Sequence, residues 1–412
     1  MEYGLIGEKL GHSFSKEVHG ALTDYKYELV EIPRDGLDGF MKQRDFKAVN
    51  VTIPFKEAVI PYLDYTDDTA KEIGAVNTLV NRDGHLSGYN TDYYGMRALV
   101  EHMGLSLENK KVAILGTGGT SKTARSVAKA LGARVVLRVS RTDKDDAISY
   151  ERLYGEHADL DVIINTTPVG MYPAIDGTAV DIDKFPGLSG VIDAVYNPIR
   201  TPLVLAALER GIKAEGGLYM LVAQAVRASE IFIDTSYPKE RIEEIYKAIL
   251  RKKENIVLIG MPSSGKSTVG KLISDATGRP LTDTDTLIKE DSGREIPDIF
   301  AELGEVAFRD MESQAVLKAA MVSSQVIATG GGAVLRPENL RRLKQNGRIY
   351  FIDRPLESLT PTDDRPLSQS REAIKKRYEE RYGIYLKACD ERIDASCDAV
   401  SVAKQIMESF SK

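Results

Sequence analysis

The sequence predicts an α/β protein made of two successive nucleotide-binding parts, and three observations carry that prediction. The first is a pair of Gly-rich loops of different design, Gly116-Thr117-Gly118-Gly119 and Gly260-Met261-Pro262-Ser263-Ser264-Gly265-Lys266-Ser267-Thr268. The second is an alternation of short β-rich runs with helical patterns around each loop, which argues for parallel sheets with crossover helices. The third is length. At 412 residues the chain exceeds what one hydrophobic core supports, since domains usually run ~100 to 200 residues.

Taken in order, the first series of runs falls at 111–116, 133–140, 161–167 and 190–196, and the second at 254–260, 324–332 and 347–353. Between them lies a charged helical pattern ending in Arg251, Lys252 and Lys253. The boundary between the two parts is therefore placed at about residue 252, with no Gly/Ser-rich linker and no low-complexity segment to separate them. The two loops differ in length and chemistry, so they are not an internal repeat.

Composition narrows the class of partner. Hydrophobic residues at 42% and charged residues at 28% are ordinary for a soluble globular protein, and a net charge of −6 provides no basic field for nucleic acid. Small molecules are the expected partners, with no nucleic acid, no membrane, and homodimerisation left open. Cys389 and Cys397 match no metal-ligand or redox spacing, so a reducing cytoplasm is expected. The N-terminal segment lacks a basic start followed by an apolar run, and no stretch of ~18 apolar residues occurs downstream.

The loop at 260–268 has P-loop spacing. Gly260, Ser264 and Gly265 let backbone N–H groups wrap phosphate oxygens, Lys266 reaches the β/γ-phosphates, Ser267 offers a hydroxyl to Mg²⁺, and Thr268 continues the motif into the helix. The loop at 116–119 follows a strand and opens a helix with small residues on it, as a dinucleotide pyrophosphate site requires. A plain turn that needs positive φ is the simpler reading of such glycines, and context favours the cofactor. Roughly 20 residues beyond, an NAD site wants a carboxylate; this chain has Ser140-Arg141-Thr142 with Lys144 close behind, which suits the 2′-phosphate of NADP.

Upstream, Gly11-His12-Ser13-Phe14-Ser15, Asn50 to Lys56, Gly74 to Thr78 and Gly88 to Asp92 set polar groups beside apolar ones. With Asn165 to Met171, Tyr196-Asn197-Pro198 and Met220 to Gln224, these segments resemble the shikimate dehydrogenase family in order over about residues 1 to 250. The resemblance implies that Ser13, Ser15 and Tyr196 hold a substrate carboxylate, and that Thr52, Asn77, Asp92 and Gln224 hold the ring and its hydroxyls. Lys56 and Asp92 become the catalytic pair, because hydride delivery to a ketone leaves an oxyanion that a nearby lysine can protonate. Gly217 and Met220 join Gly116, Gly118 and Gly119 around the cofactor. Two departures from the family stand at Lys16, where proline is usual, and at Ser140, where asparagine is usual.

After the P-loop come Asp283-Thr284-Asp285, Gly304 to Arg309, Gly330-Gly331-Gly332, Asp364-Arg365-Pro366-Leu367 and Arg381 to Tyr385. That order resembles the shikimate kinase family over about residues 254 to 412. By the resemblance Asp283 helps place Mg²⁺, and Asp285 binds the hydroxyl that attacks the γ-phosphate. Arg309 and Arg381 clamp the shikimate carboxylate with Gly331 beside it, while Lys266 and Arg365 neutralise the transferring phosphoryl group. Pro361 occupies a short lid where relatives carry an adenine-side arginine, and Gly383 replaces a usual proline, which is expected to loosen a turn that aims Arg381. Lid mobility is expected at about 359–370.

The fold expected from both resemblances is a two-lobed dehydrogenase with a Rossmann-like NADP lobe, followed by a three-layer P-loop domain of the nucleoside monophosphate kinase kind. Its substrate lobe would span 1–95 plus 219–250, its NADP lobe 96–218, and the kinase 253–412. The expected function is a bifunctional enzyme of chorismate biosynthesis using NADPH, ATP and Mg²⁺. It would reduce 3-dehydroshikimate to shikimate and then phosphorylate the 3-hydroxyl. Two alternatives stay open: a quinate/shikimate dehydrogenase fused to the kinase, and a sensor of shikimate or nucleotide with one inactive half.

Overall fold

The computed structural model of the protein describes residues 1–11, 13–144, 146–361 and 370–411. The chain packs as two compact units, Met1–Leu250 and Arg251–Lys412.

The first unit contains two six-stranded sheets. One has the order Tyr27–Glu31, Tyr3–Gly7, Ala48–Val51, Thr78–Arg82, His85–Tyr89, Tyr65–Thr66. Its first three strands are parallel, and Thr78–Arg82 runs antiparallel to both of its neighbours. The reversal is made by Asp83-Gly84, both with positive φ (53° and 86°), as a tight hairpin turn demands. Because side chains alternate along a strand, Ile6, Val49, Val51 and Leu79 pack on one face with Leu37 and Met41. Leu5, Ala48 and Val80 pack on the other face with Ala228 and Phe232. The last two come from the helix Leu218–Ile233, so a segment late in the sequence returns to complete the first lobe.

The second sheet is wholly parallel, in the order Lys213–Glu215, Gly190–Asp193, Val162–Asn165, Lys111–Leu115, Val135–Ser140, Ile148–Ser149. Its central strands are buried on both faces, which explains their unbroken apolar runs. Val112 and Ile114 face the helix Gly119–Ala130, whereas Ala113 and Leu115 face Leu203, Val204 and Ala207 of the helix Pro202–Glu209. The helices Thr91–His102 and Leu218–Ile233 cross where Gly95 sits, and a Cβ there would stand 2.6 Å from Met220 O.

The second unit is a five-stranded parallel sheet, ordered Leu281–Asp283, Val326–Ala328, Asn255–Ile259, Gly347–Asp353, Glu391–Asp394. On one face Ile256, Leu258 and Ile352 meet Val269 and Ile273 of the helix Lys266–Thr277 and Ile406 of Ala399–Phe410. On the other, Val257, Ile259 and Phe351 meet Val316, Leu343 and Tyr385 from three further helices. The result is the three-layer α/β arrangement.

Two details differ from the sequence reading. The run at 324–332 is a strand only over Val326–Ala328, because the three glycines that follow leave the ladder and form a loop. Gly383 lies inside the helix Arg371–Ala388, with nothing within 4 Å of where its Cβ would be. No turn exists there to be loosened, and Arg381 is aimed by helix geometry.

Candidate active sites

In the first unit Lys56 follows the buried strand Ala48–Val51, and Asp92 lies in the first turn of the helix Thr91–His102, which Asn90 caps by accepting from Tyr93 N at 3.1 Å. The fold brings Lys56 Nζ to 2.6 Å from Asp92 Oδ2, with side chains only 16% and 10% exposed. In a shielded pair of this kind neither charge can be removed without leaving the other buried and uncompensated. The Lys56 stem also approaches the cofactor loop, its Cδ lying 3.9 Å from where a Cβ on Gly119 would stand.

Around this pair is a buried amide and hydroxyl network. Asn77 Oδ1 accepts from Thr91 N at 2.7 Å and from Thr78 Oγ1 at 3.1 Å, which fixes the orientation of the amide, because a backbone N–H can only donate. Asn77 Nδ2 donates to Thr91 Oγ1 at 3.0 Å and Gln224 Oε1 at 3.4 Å. Gln224 is held in turn by donating to Leu221 O at 2.8 Å. Sequence reasoning missed Asn50, which donates to Asn77 O and Thr78 Oγ1 and accepts from Tyr27 Oη at 2.7 Å. Ser13 and Ser15 are joined through their hydroxyls at 3.1 Å, and the Tyr196 ring lies 5.4 Å from that of Phe14 between them. Burial raises the Tyr196 pKa, so its phenol stays protonated. Thr52 accepts from Phe55 N at 2.9 Å and anchors the turn that carries Lys56.

The cofactor loop departs from its strand at Gly116, whose φ of 107° and close contact with Thr166 Oγ1 leave no room for a side chain. Gly118 and Gly119 open the helix Gly119–Ala130. Gly217 caps the helix that carries Met220, so those two stand together in the sequence and in space. At the end of Val135–Ser140, Ser140 Oγ donates to Thr142 O, while Arg141 and Thr142 are exposed. Arg138, two residues earlier, is a residue the sequence did not mark. It is 8% exposed, pairs with Asp146, and donates to Thr117 O at 2.9 Å and Ser121 Oγ at 3.2 Å, so it props the Gly-rich loop from beneath.

In the second unit the P-loop carries positive φ at Gly260 (150°), Ser263 (64°) and Gly265 (92°). Lys266 Nζ donates to Gly260 O at 2.9 Å and Met261 O at 2.8 Å, lying along its own loop, with buried Ser264 at 3.5 Å. Ser267 Oγ donates to Asp283 Oδ2 at 2.7 Å, uniting the two residues expected near a metal, while Thr268 is exposed. Asp283 also caps the helix Thr284–Ser292 by accepting from Asp285 N at 2.9 Å.

The Gly330-Gly331-Gly332 loop is where the remaining residues converge. A Cβ on Gly330 would stand 2.6 Å from Asp285 Oδ1 and 2.8 Å from Glu312 Oε1. One on Gly332 would collide with the Arg309 guanidinium. Arg381 Nη1 and Tyr385 Oη both donate to Gly331 O, at 3.1 and 2.5 Å. Arg309 pairs with Glu312 at 2.8 Å and Glu305 at 3.2 Å. Burial opposes its charge, but the Glu312 and Glu305 carboxylates together outweigh that and raise the Arg309 pKa. Arg365 lies outside the described residues.

Fold and geometry define the class: a polypeptide that joins a dinucleotide-dependent oxidoreductase to a P-loop kinase. Residues 5–79 match the family model for the shikimate dehydrogenase substrate binding domain, and residues 262–411 match that for shikimate kinase. An NADP(+) shikimate dehydrogenase of Clostridium beijerinckii is 38% identical over 260 residues, which are 59% of this chain and 96% of that relative. Shikimate dehydrogenase 1 of Peptoclostridium difficile superposes with a TM-score of 0.56 at 36% identity, covering 60% of this chain and 98% of that one. A chorismate mutase/shikimate 5-dehydrogenase fusion protein from Clostridium acetobutylicum does so with 0.56 at 35%, covering 60% and 96%. The chain belongs to the shikimate dehydrogenase family and carries a shikimate kinase domain after it, a bifunctional fusion of two shikimate-pathway enzymes.

Proposed function

We propose that the N-terminal unit reduces 3-dehydroshikimate to shikimate with NADPH and that the C-terminal unit phosphorylates the resulting 3-hydroxyl with ATP. The observation that carries the reading is the Lys56–Asp92 pair at 2.6 Å, shielded from water and set against the cofactor loop at Gly119. Bound NADPH supplies a hydride to the carbonyl carbon. Lys56 then gives a proton to the developing alkoxide, and Asp92 holds the ammonium in place for that transfer. Ser13, Ser15 and Tyr196 meet the substrate carboxylate as hydroxyl donors, with Thr52, Asn77 and Gln224 on the ring hydroxyls. Arg141, with Lys144 behind it, takes the 2′-phosphate of the cofactor.

In the kinase, Arg309 and Arg381 offer two planar forks to the carboxylate of shikimate. Asp285 accepts the hydrogen bond of the attacking hydroxyl, and Lys266 follows the phosphate charge as it moves. Ser267 and Asp283 are hard oxygen donors suited to Mg²⁺, which keeps waters and shares phosphate oxygens, and bound there it would offset phosphate charge. That fits a site with few protein ligands: among the described residues no group of three His, Cys, Asp or Glu side chains is placed to hold a metal.

A coupled assay tests the whole reading: purified chain with 3-dehydroshikimate, NADPH and MgATP, followed by NADPH absorbance and by mass spectrometry of shikimate 3-phosphate. Lys56→Ala should abolish both signals, with the phosphorylated product restored by added shikimate, and Lys266→Ala only the second. NADPH oxidation without phosphorylated product would confine the reading to the dehydrogenase, and silence in both would defeat it.

A further inference from the structure

We propose that Arg354 is a nucleotide-binding residue of the kinase unit, its guanidinium contacting the β-phosphate of the nucleotide seated on the P-loop. The proposal rests on the reading of that unit as an ATP-dependent kinase.

The strand Gly347–Asp353 ends alongside the P-loop. Ile352 O lies 2.8 Å from where a Cβ on Gly260 would stand, and Arg354 Nη1 lies 4.0 Å from the corresponding point on Gly265. Farther on, Thr360 O accepts from Ser263 Oγ at 2.9 Å. Residues 352–360 thus run beside the phosphate loop, hydrogen-bonded to it through Ser263 and Thr360, and the side chain that borders the open side of Gly265 is a cation.

Among the described residues that cation has no partner. Arg354 Nε is buried and has no hydrogen-bond partner among the described residues. The adjacent carboxylate of Asp353 is already engaged, accepting from Arg392 Nε at 2.6 Å and Tyr382 Oη at 2.9 Å. The other arginines near the site behave differently: Arg309 and Arg381 each have acceptors within 3.2 Å. An unpaired buried N–H carries a desolvation penalty, and such groups in folded proteins call for an explanation. Arginine's five fixed donors match phosphate oxygens. A phosphate cradled by the backbone of Gly260 to Gly265 brings oxygens to the side of the loop where this guanidinium waits.

The test is calorimetric titration of the full chain with MgADP and with AMP, with NADP⁺ present to fill the dinucleotide site. The proteins are wild type, Arg354→Gln and Arg354→Lys, each with its thermal unfolding midpoint measured. Arg354→Gln should weaken ADP roughly ten- to hundredfold, the loss of a charge-assisted hydrogen bond, and leave AMP nearly unchanged. Arg354→Lys should recover part of the ADP affinity, keeping charge without the fork. Equal weakening of ADP and AMP would put the side chain on the base, ribose or α-phosphate and overturn the proposal. Unchanged ADP affinity in Arg354→Gln would overturn it as well. If the wild-type chain bound no ADP at all, the kinase reading would fall and this inference with it.

Discussion

Arg309 Nη1 and Glu312 Oε2 form an ion pair at 2.8 Å in which the carboxylate is 1% exposed. Burial raises the Glu312 pKa, and Arg309 opposes that rise. The pair fixes the guanidinium over Gly332, where a substrate carboxylate would find it.

Removing one partner of such a pair leaves a buried charge without compensation. Glu312→Ala should destabilise the C-terminal unit by roughly 3 to 5 kcal/mol, toward the lower end because Glu305 still reaches Arg309. The KM for shikimate in the kinase reaction should rise more than kcat falls. Wild-type stability in a urea titration of the variant would count against the pair as a strut.

Gly95 marks the close crossing of two helices, with Met220 O at 2.6 Å and Gln224 Cβ at 2.9 Å from the place a Cβ would take. Gly95→Ala should cost about 1 to 3 kcal/mol through overpacking. It should also shift Gln224 and raise the dehydrogenase KM for shikimate, leaving the kinase untouched. Steady-state kinetics of both activities on one preparation decide it.

His19 is fully buried, stacked 4.0 Å from Tyr27, and bonded through Nδ1 to Tyr25 Oη at 2.6 Å. Burial pushes its pKa down to about 3 from an ordinary 6.5. The folded chain therefore binds fewer protons than the unfolded one below pH 6.5, and stability falls as pH falls from there toward 3. By linkage, the contribution lost between pH 7 and pH 5 is roughly 2 kcal/mol. His19→Gln should flatten that acid limb, read as the urea midpoint of the N-terminal unit by pulse proteolysis at the two pH values; an unchanged limb would exclude His19 as its source.

Arg138→Met removes the donors to Thr117 O and Ser121 Oγ beneath the cofactor loop and leaves Asp146 unpaired. The KM for NADPH should rise about tenfold, the scale of one lost hydrogen bond to a charged group, with little change in kcat. An equal fall in kinase activity would instead indicate general unfolding.

The sequence announced the strands, the two loops and the ordered motifs, because local periodicity and glycine placement carry that information. Lys56 with Asp92, and Ser267 with Asp283, could be paired in the sequence only through the family resemblances, because their meeting depends on strand order, which no local pattern encodes. Arg138 was illegible for the opposite reason. A charge in a strand reads as a solvent-facing position, and its burial depends on a carbonyl at Thr117 brought there by the parallel sheet. Gly383 misled because the residue it replaces suggested a turn, whereas the surrounding run from Arg371 to Ala388 is a good helix that tolerates one glycine.

The saturation of Asn77 Oδ1 has an outcome for substrate recognition. The Nδ2 of the same amide is engaged as well, by Thr91 Oγ1 and Gln224 Oε1, so an incoming ring oxygen could take an N–H of Asn77 only in exchange for the long 3.4 Å bond to Gln224. Recognition at this contact would then be a swap of acceptors, with Gln224 released to meet the same ring.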